Sequence, residues 1–189
     1  MNRIFRRGRR MGRGMGMGLG LALLAFGAIF STASHAQSGP QPKELGTHGA
    51  WTAYYYTTKK GPVCYITSQP VKSELSRKGA KRDPAFFLVT HRPGDRVFGE
   101  VSTIIGYPFK KGSTPLVEID GRKFRLFAVG DGAWTEGPTV DRQMVAAMKK
   151  GKQMTVYGTS RRGTKSMDVY SLKGVSAALA LIDSKCRRK

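Results

Sequence analysis

The chain has 189 residues, and 33 Lys and Arg against 12 Asp and Glu give it a formal net charge of +21. This length suits one domain with an ordinary hydrophobic core, so a multi-domain architecture is excluded. A hydrophobic fraction of 40% with 10% aromatic residues also excludes wholesale disorder.

The first 36 residues predict a cleaved signal peptide. They hold six arginines and no acidic residue, followed by an apolar run over 19–30 and by Ser34 and Ala36 at the small positions of a cleavage site. The run is shorter than the roughly 20 residues that span a bilayer, so an uncleaved anchor is the second interpretation. The mature chain, residues 37–189, keeps 27 basic and 12 acidic side chains, a net charge of +15. We expect an exported protein, periplasmic or associated with the outer membrane.

Two cysteines, Cys64 and Cys186, predict a disulfide because exported chains fold in an oxidising compartment. Two free thiols or a metal site are the alternatives. Zinc sites use about four closely spaced ligands, and the mature chain adds only His48 and His91, neither near a cysteine in sequence. We therefore expect no metal and no cofactor.

The mature chain predicts a flexible leader over 37–49, which is polar and aperiodic, and a single domain over 50–189. Apolar and polar residues alternate with a period of two in most of the segments that we predict as strands. These segments are 51–56, 63–68, 86–91, 97–105, 116–119, 123–129, 154–159 and 168–172. Asp120-Gly121 predicts a tight hairpin turn between two of them.

Two helices complete the predicted domain. In the first, Thr139 is the expected N-cap and Gly151 the end, and in the second, Val175, Ala178 and Ile182 share one face. About eight short strands with one or two short helices predict a mainly β, antiparallel β-sandwich.

Catalytic signatures are scarce. The segment 158–163 resembles a nucleophile elbow but has Arg162 where that motif needs glycine. His91 could act as a base with Asp95 or Glu100, but no nucleophile accompanies it, and a turn residue is the simpler interpretation. We predict no enzymatic activity, with a hydrolase that uses His91 as a minor alternative.

Aromatic residues on the first two strands allow two interpretations. They could form a stacking platform for bases or sugars, or they could divide between the core and cross-strand pairs. The residues are Trp51, Tyr54, Tyr55, Tyr56 and Tyr65.

Basic residues recur in the predicted turns and loops. They form a solvated surface or, if they converge, a polyanion-binding site for lipopolysaccharide or anionic lipid. Export makes nucleic acid an unlikely partner. The candidate residues are Lys59, Lys60, Arg77, Lys78, Lys81, Arg82, Lys110, Lys111, Arg161, Arg162 and Lys165.

A series of short motifs, taken in order, resembles the invasion-associated locus B (IalB) family of alphaproteobacterial exported proteins. The motifs include Trp51-Thr-Ala-Tyr, Gly61-Pro-Val-Cys-Tyr, Arg82-Asp-Pro-Ala-Phe-Phe, Ile105-Gly-Tyr-Pro-Phe-Lys and Gly158-Thr-Ser-Arg-Arg-Gly-Thr. The resemblance implies an immunoglobulin-like β-sandwich without an established enzymatic activity. It also implies a non-catalytic protein that binds an envelope or host-surface component. Basic loops on one face would favour the polyanion-binding alternative, and scattered charge would favour another kind of partner.

Overall fold

The computed structural model describes residues 41–186; the expected signal peptide, residues 37–40 and the basic tail 187–189 lie outside that range. The strands are β1 Lys43–His48, β2 Trp51–Thr58, β3 Gly61–Ser68, β4 Lys72–Leu75, β5 Phe86–Arg92, β6 Val97–Ile104, β7 Leu116–Ile119, β8 Arg122–Arg125, β9 Phe127–Val129, β10 Gly132–Trp134, β11 Gln153–Thr159 and β12 Lys165–Ser171. The helices are α1 Pro138–Lys150 and α2 Val175–Lys185, and a 3-10 turn covers Pro93–Asp95. Neither α-helix in this range is long and apolar enough to cross a membrane.

The strands form two antiparallel sheets. The large sheet has the order β1-β2-β3-β5-β6-β10-β9, and the small sheet has the order β4-β12-β11-β7-β8. The predicted mainly β, antiparallel sandwich is thereby confirmed, with twelve strands in place of about eight.

An aromatic row holds the two sheets together. On β2, Trp51 and Ala53 are fully buried, as the period of two requires of inward-facing positions. The Trp51 ring meets Phe87 edge-on with ring centroids 6.4 Å apart, and Phe87 meets Tyr170 of the small sheet at 5.9 Å. A shift of one residue in either strand would expose these rings, so the row fixes the strand register.

Helix α2 carries the predicted apolar stripe, with Val175, Ala178, Leu179 and Ile182 buried. The residue after it, Cys186, is disulfide-bonded to Cys64 of β3, as predicted. This bond attaches the end of α2 to strand β3 of the large sheet.

Helix α1 begins two residues earlier than predicted. Its first residue is Pro138, and the preceding Gly137 makes no side-chain capping bond. Proline suits the first helical position because its missing N–H needs no partner there. Thr139 is therefore inside the helix, and the prediction that it forms the N-cap was wrong.

Part of the expected flexible leader is a strand. Lys43–His48 pairs with β2, from Lys43 opposite Tyr55 to His48 opposite Trp51. Leu45 packs against the core while the neighbouring side chains stay exposed. A polar edge strand with one apolar contact lacks the alternation that identifies a strand in a sequence.

Two further departures are short strands in segments that were expected to be loops. Lys72–Leu75 lies in the expected basic loop and pairs with β12, and Gly132–Trp134 lies in the expected loop after residue 129. The expected strand 123–129 is two strands, because the chain crosses from the small sheet to the large sheet at buried Leu126. The turn at Asp120 and Gly121 has the predicted positive φ angles, 44° and 88°.

Candidate functional site

Three segments between strands meet at one end of the sandwich. Strand β5 begins at Phe86, which pairs with Ile104, the last residue of β6, so segment 76–83 enters the large sheet and segment 106–113 leaves it at the same end. The Asp83 N–H donates to the Gly106 carbonyl at 3.0 Å and joins these two segments.

The hairpin between β11 and β12 is the third segment. The Arg161 N–H donates to the Pro108 carbonyl at 2.9 Å, and the Lys110 N–H donates to the Thr159 carbonyl at 2.9 Å. The same hairpin is bound to the first segment, since the Ser76 N–H donates to the Lys165 carbonyl at 2.9 Å. Backbone bonds therefore hold segments 76–83, 106–113 and 159–165 side by side.

These segments concentrate positive charge. They contain nine basic residues and one acidic residue, Asp83. We call the exposed cations among them the basic pole: Arg77, Lys78, Lys81, Lys110, Lys111, Arg161, Arg162 and Lys165. A groove of about 780 Å³ runs between the segments, and Arg77, Lys81 and Arg161 are among its lining residues. Such a cluster of like charges produces a local field that attracts anions.

Arg82 has a different role from the other candidate cations. Its guanidinium donates to both carboxylate oxygens of Asp168, and the side chains are only 9% and 0% exposed. Burial favours a lower pKa for Arg82, but the hydrogen bond and charge of Asp168 raise it overall. Asp168 balances its charge inside the protein, and Arg82 also lines the groove, so its place among the ligand-binding residues stays a prediction.

Lys59 and Lys60 lie at the other end of the sandwich. They connect β2 to β3 next to the end of β5, and the Lys60 Nζ lies 2.9 Å from the Asp95 carboxylate. These two lysines do not join the basic pole. Of the eleven candidate residues, eight therefore form one cluster, one is a buried anchor and two are remote.

Tyr107 forms part of the groove wall. Its hydroxyl lies 2.6 Å from the Ser166 hydroxyl, and its ring lies 6.0 Å from the Arg82 guanidinium. Burial raises the pKa of Tyr107, although Ser166 and Arg82 act in the opposite direction. Gly158 makes room for this ring, because a Cβ there would lie 2.5 Å from the Tyr107 hydroxyl.

Phosphate groups match the chemistry of the basic pole. Guanidinium groups bind phosphate oxygens with two parallel hydrogen bonds, and ammonium groups bind them as compact point charges. The groove offers both kinds of group at short sequence spacing, in Arg77-Lys78 and in Arg161-Arg162 opposite. Its shape and charge therefore suit a ligand with several phosphates.

His91 is paired differently from the prediction. Its Nδ1 accepts a hydrogen bond from the Gly99 N–H at 2.8 Å, so the proton lies on Nε2, which is 2.8 Å from the Asp183 carboxylate. Asp95 and Glu100 instead contact Lys60 and Arg92. With both ring nitrogens occupied, His91 has no free nitrogen to take a proton from a nucleophile.

The cavity beside His91 offers no hydroxyl or thiol nucleophile. It has a volume of about 510 Å³, and among its lining residues are Phe98, Val145 and Cys186. None of the lining residues carries a hydroxyl or a free thiol, because Cys186 is disulfide-bonded. Across residues 41–186, no group of three or more His, Cys, Asp or Glu is arranged to hold a metal ion.

The aromatic residues of the first two strands divide between the core and the surface. Trp51 is buried, and its Nε1 donates to the Ser171 carbonyl at 2.9 Å. Tyr54 and Tyr65 stack across neighbouring strands with centroids 5.2 Å apart, and Tyr56 meets Tyr65 edge-on. Core packing and cross-strand pairing thus account for most of the aromatics that suggested a platform.

Comparison with known proteins gives a family match. The model of the Invasion associated locus B (IalB) protein family matches residues 51–183. The crystal structure of invasion associated protein B from Bartonella henselae is similar to this chain, with a TM-score of 0.49 and 15% sequence identity. That similarity covers 74% of this chain and 96% of the other. No curated protein matches the sequence.

Proposed function

The chain belongs to the invasion associated locus B family, and from this premise we propose that it is an exported, non-catalytic protein that binds a phosphate-bearing component of the cell envelope. The observation that carries the proposal is the convergence of three segments that hold eight exposed cations and a single carboxylate, Asp83, with five of these cations lining one groove. Lipopolysaccharide and anionic lipids are envelope molecules that present several phosphates on one surface.

The energetics of the pole support a binding role. Like charges held together destabilise the folded state through mutual repulsion, and an anionic ligand removes that repulsion. The buried pair of Arg82 and Asp168 attaches one of the three segments to the core, so the exposed cations beside it are positioned before a ligand arrives. Preorganised groups lose less conformational entropy on binding.

Other parts of the proposal have separate support. The arginine-rich, apolar segment at the start of the chain supports export. The IalB family is not a known enzyme family, and the occupied nitrogens of His91 argue against general-base chemistry. An envelope or host-surface partner bound through uncharged contacts remains the competing hypothesis.

The salt dependence of binding to purified lipopolysaccharide tests the proposal. Between about 0.05 and 0.3 M NaCl the Debye length falls well below the width of the pole, so affinity should drop by about tenfold or more. A dissociation constant that is independent of salt would contradict the proposal and favour an uncharged interface.

A further inference from the structure

The outer face of the large sheet carries a group of apolar side chains next to the basic pole. We call Phe86, Leu88, Ile104, Phe127, Val129 and Trp134 the outer apolar block. They occupy two neighbouring rows of the strand register. Phe86, Ile104 and Val129 lie in one row, and Leu88, Trp134 and Phe127 lie in the other.

This block does not belong to the core. Thr103 and Ala133, which alternate with block residues on their strands, are fully buried and face the small sheet. In contrast, Ile104 is 39%, Phe127 47% and Val129 62% exposed. A cluster of exposed apolar side chains on a folded protein often marks a binding surface.

Trp134 occupies a fixed position in the block. Its ring stacks on Phe127 with centroids 6.1 Å apart and an angle of 30° between planes. It also covers Gly132, where an added Cβ would lie 2.4 Å from the indole. The glycine thus lets the indole lie flat along the sheet.

The block and the pole lie at the same end of the sandwich. Ile104 is the last residue of β6, directly before the segment that carries Lys110 and Lys111. The Phe109 N–H donates to the Gly130 carbonyl at 2.8 Å, which places that segment beside the residue after Val129. Apolar and cationic side chains therefore form adjoining parts of one surface.

We propose that the partner of the basic pole is the surface of an anionic lipid bilayer, and that the outer apolar block enters its headgroup region. This inference rests on the proposed function, because the pole supplies the electrostatic attraction. A bilayer leaflet offers anionic phosphates and apolar surface together, and Trp beside Lys and Arg is typical of side chains at a membrane interface.

A second copy of the chain fits this surface less well. The described residues contain 24 Lys and Arg and 12 Asp and Glu, so two copies would repel each other. The carboxylates at this end, Asp83 and Asp131, are too few to reverse the local charge. A soluble polyanion, in turn, would leave the exposed Phe127 and Val129 without a partner.

Tryptophan fluorescence tests the inference on the wild-type protein. The chain has two tryptophans, and Trp51 is fully buried, so Trp134 is the one that lipid can reach. We expect vesicles with about 30 mol% phosphatidylglycerol to shift the emission to the blue, and brominated acyl chains to quench it. Vesicles that bind without either change would overturn the inference.

Matched variants separate the contribution of the outer apolar block to binding from that of the basic pole. Phe127→Ser with Val129→Ser should weaken binding to these vesicles by about tenfold, because two apolar side chains no longer leave water. Binding of soluble polyphosphate should change by less than about twofold, since that ligand contacts only cations. Val71→Ser removes a similarly exposed valine, 65% exposed in the residue before β4, and should change neither vesicle binding nor polyphosphate binding.

The outcomes distinguish this inference from the proposed function. Equal vesicle affinity for the double variant and the wild type, with polyphosphate binding retained, would overturn the membrane inference alone. Failure of the wild type to bind either ligand would overturn both. Thermal unfolding by circular dichroism checks that the variants fold, and the wild-type quenching experiment decides the question if they do not.

Discussion

Arg82 and Asp168 connect the basic pole to the interior of the small sheet. The Arg82 Nη1 donates to the Asp168 carboxylate at 2.7 Å and to the Ile105 carbonyl at 3.0 Å, and Nη2 donates to the Ser73 hydroxyl at 3.1 Å. Asp168 lies on β12 and is fully buried. One charged side chain thus joins segment 76–83 to two strands of the small sheet and to the residue that follows β6 of the large sheet.

Replacement of Arg82 should destabilise the fold. Arg82→Ala leaves the Asp168 carboxylate buried without its partner, which costs about 3–5 kcal/mol of unfolding free energy. Arg77→Ala, which removes an exposed arginine from the same segment, should change the unfolding free energy by less than about 0.5 kcal/mol. Urea unfolding of the three proteins measures the difference. Equal stability of Arg82→Ala and the wild type would show that the ion pair contributes no net stability.

Removal of the disulfide should also destabilise the protein. Cys64 and Cys186 are 122 residues apart in sequence, so the bond closes a long loop in the unfolded chain. The double variant Cys64→Ala, Cys186→Ala should lose about 4–5 kcal/mol if chain entropy dominates. Guanidinium unfolding gives this value, and wild type treated with a reductant is the control. An unchanged unfolding midpoint in both would contradict the expected stabilisation.

Asp141 should make stability depend on pH. It is buried on α1, where its Oδ1 accepts hydrogen bonds from the Val101 N–H and the Thr135 hydroxyl. Burial raises the pKa of Asp141 above its ordinary value of 3.8, although these two bonds act in the opposite direction. Because its pKa is raised in the folded state, Asp141 stabilises the fold below pH 3.8. This stabilisation is lost as the pH rises through the raised pKa of the folded state.

Two substitutions separate the charge of Asp141 from its hydrogen bonds. Asp141→Asn keeps an acceptor and cannot ionise, so its unfolding free energy should increase relative to wild type between about pH 3 and pH 7. Asp141→Ala leaves two buried donors unpaired and should cost about 1–3 kcal/mol. If the difference in unfolding free energy between wild type and Asp141→Asn stayed constant across this pH range, the pKa of the Asp141 carboxyl would not be raised.

The sequence predicted the core of this fold better than its edges. Trp51, Phe87 and Val89 lie on strands buried on one face, where alternation is clear, and the stripe on α2 follows a period near 3.6. Edge strands such as Lys43–His48 are mostly polar and gain order from backbone pairing, which leaves little trace in composition. The change of sheet at Leu126 preserves the apolar alternation, so the sequence reads as one strand.

The candidate site was only partly predictable for a related reason. Basic pairs in loops can be recognised in any sequence, and eight of the eleven proposed cations lie on the three joined segments. Their convergence depends on which loops leave the sheets at the same end, and that follows from the strand order. Arg82 could not be distinguished from Lys81 because only the packed structure places the Asp168 carboxylate beneath it.

Matched charge reversals at the two ends of the sandwich test the central claim most directly. Arg161→Glu with Arg162→Glu changes the basic pole, and Lys59→Glu with Lys60→Glu makes the same change in net charge at the opposite end. If the pole binds the anion, the first variant should weaken lipopolysaccharide binding by about tenfold or more at low salt, and the second by less than about twofold. Equal weakening by the two variants would show that net charge, and not the pole, attracts the ligand.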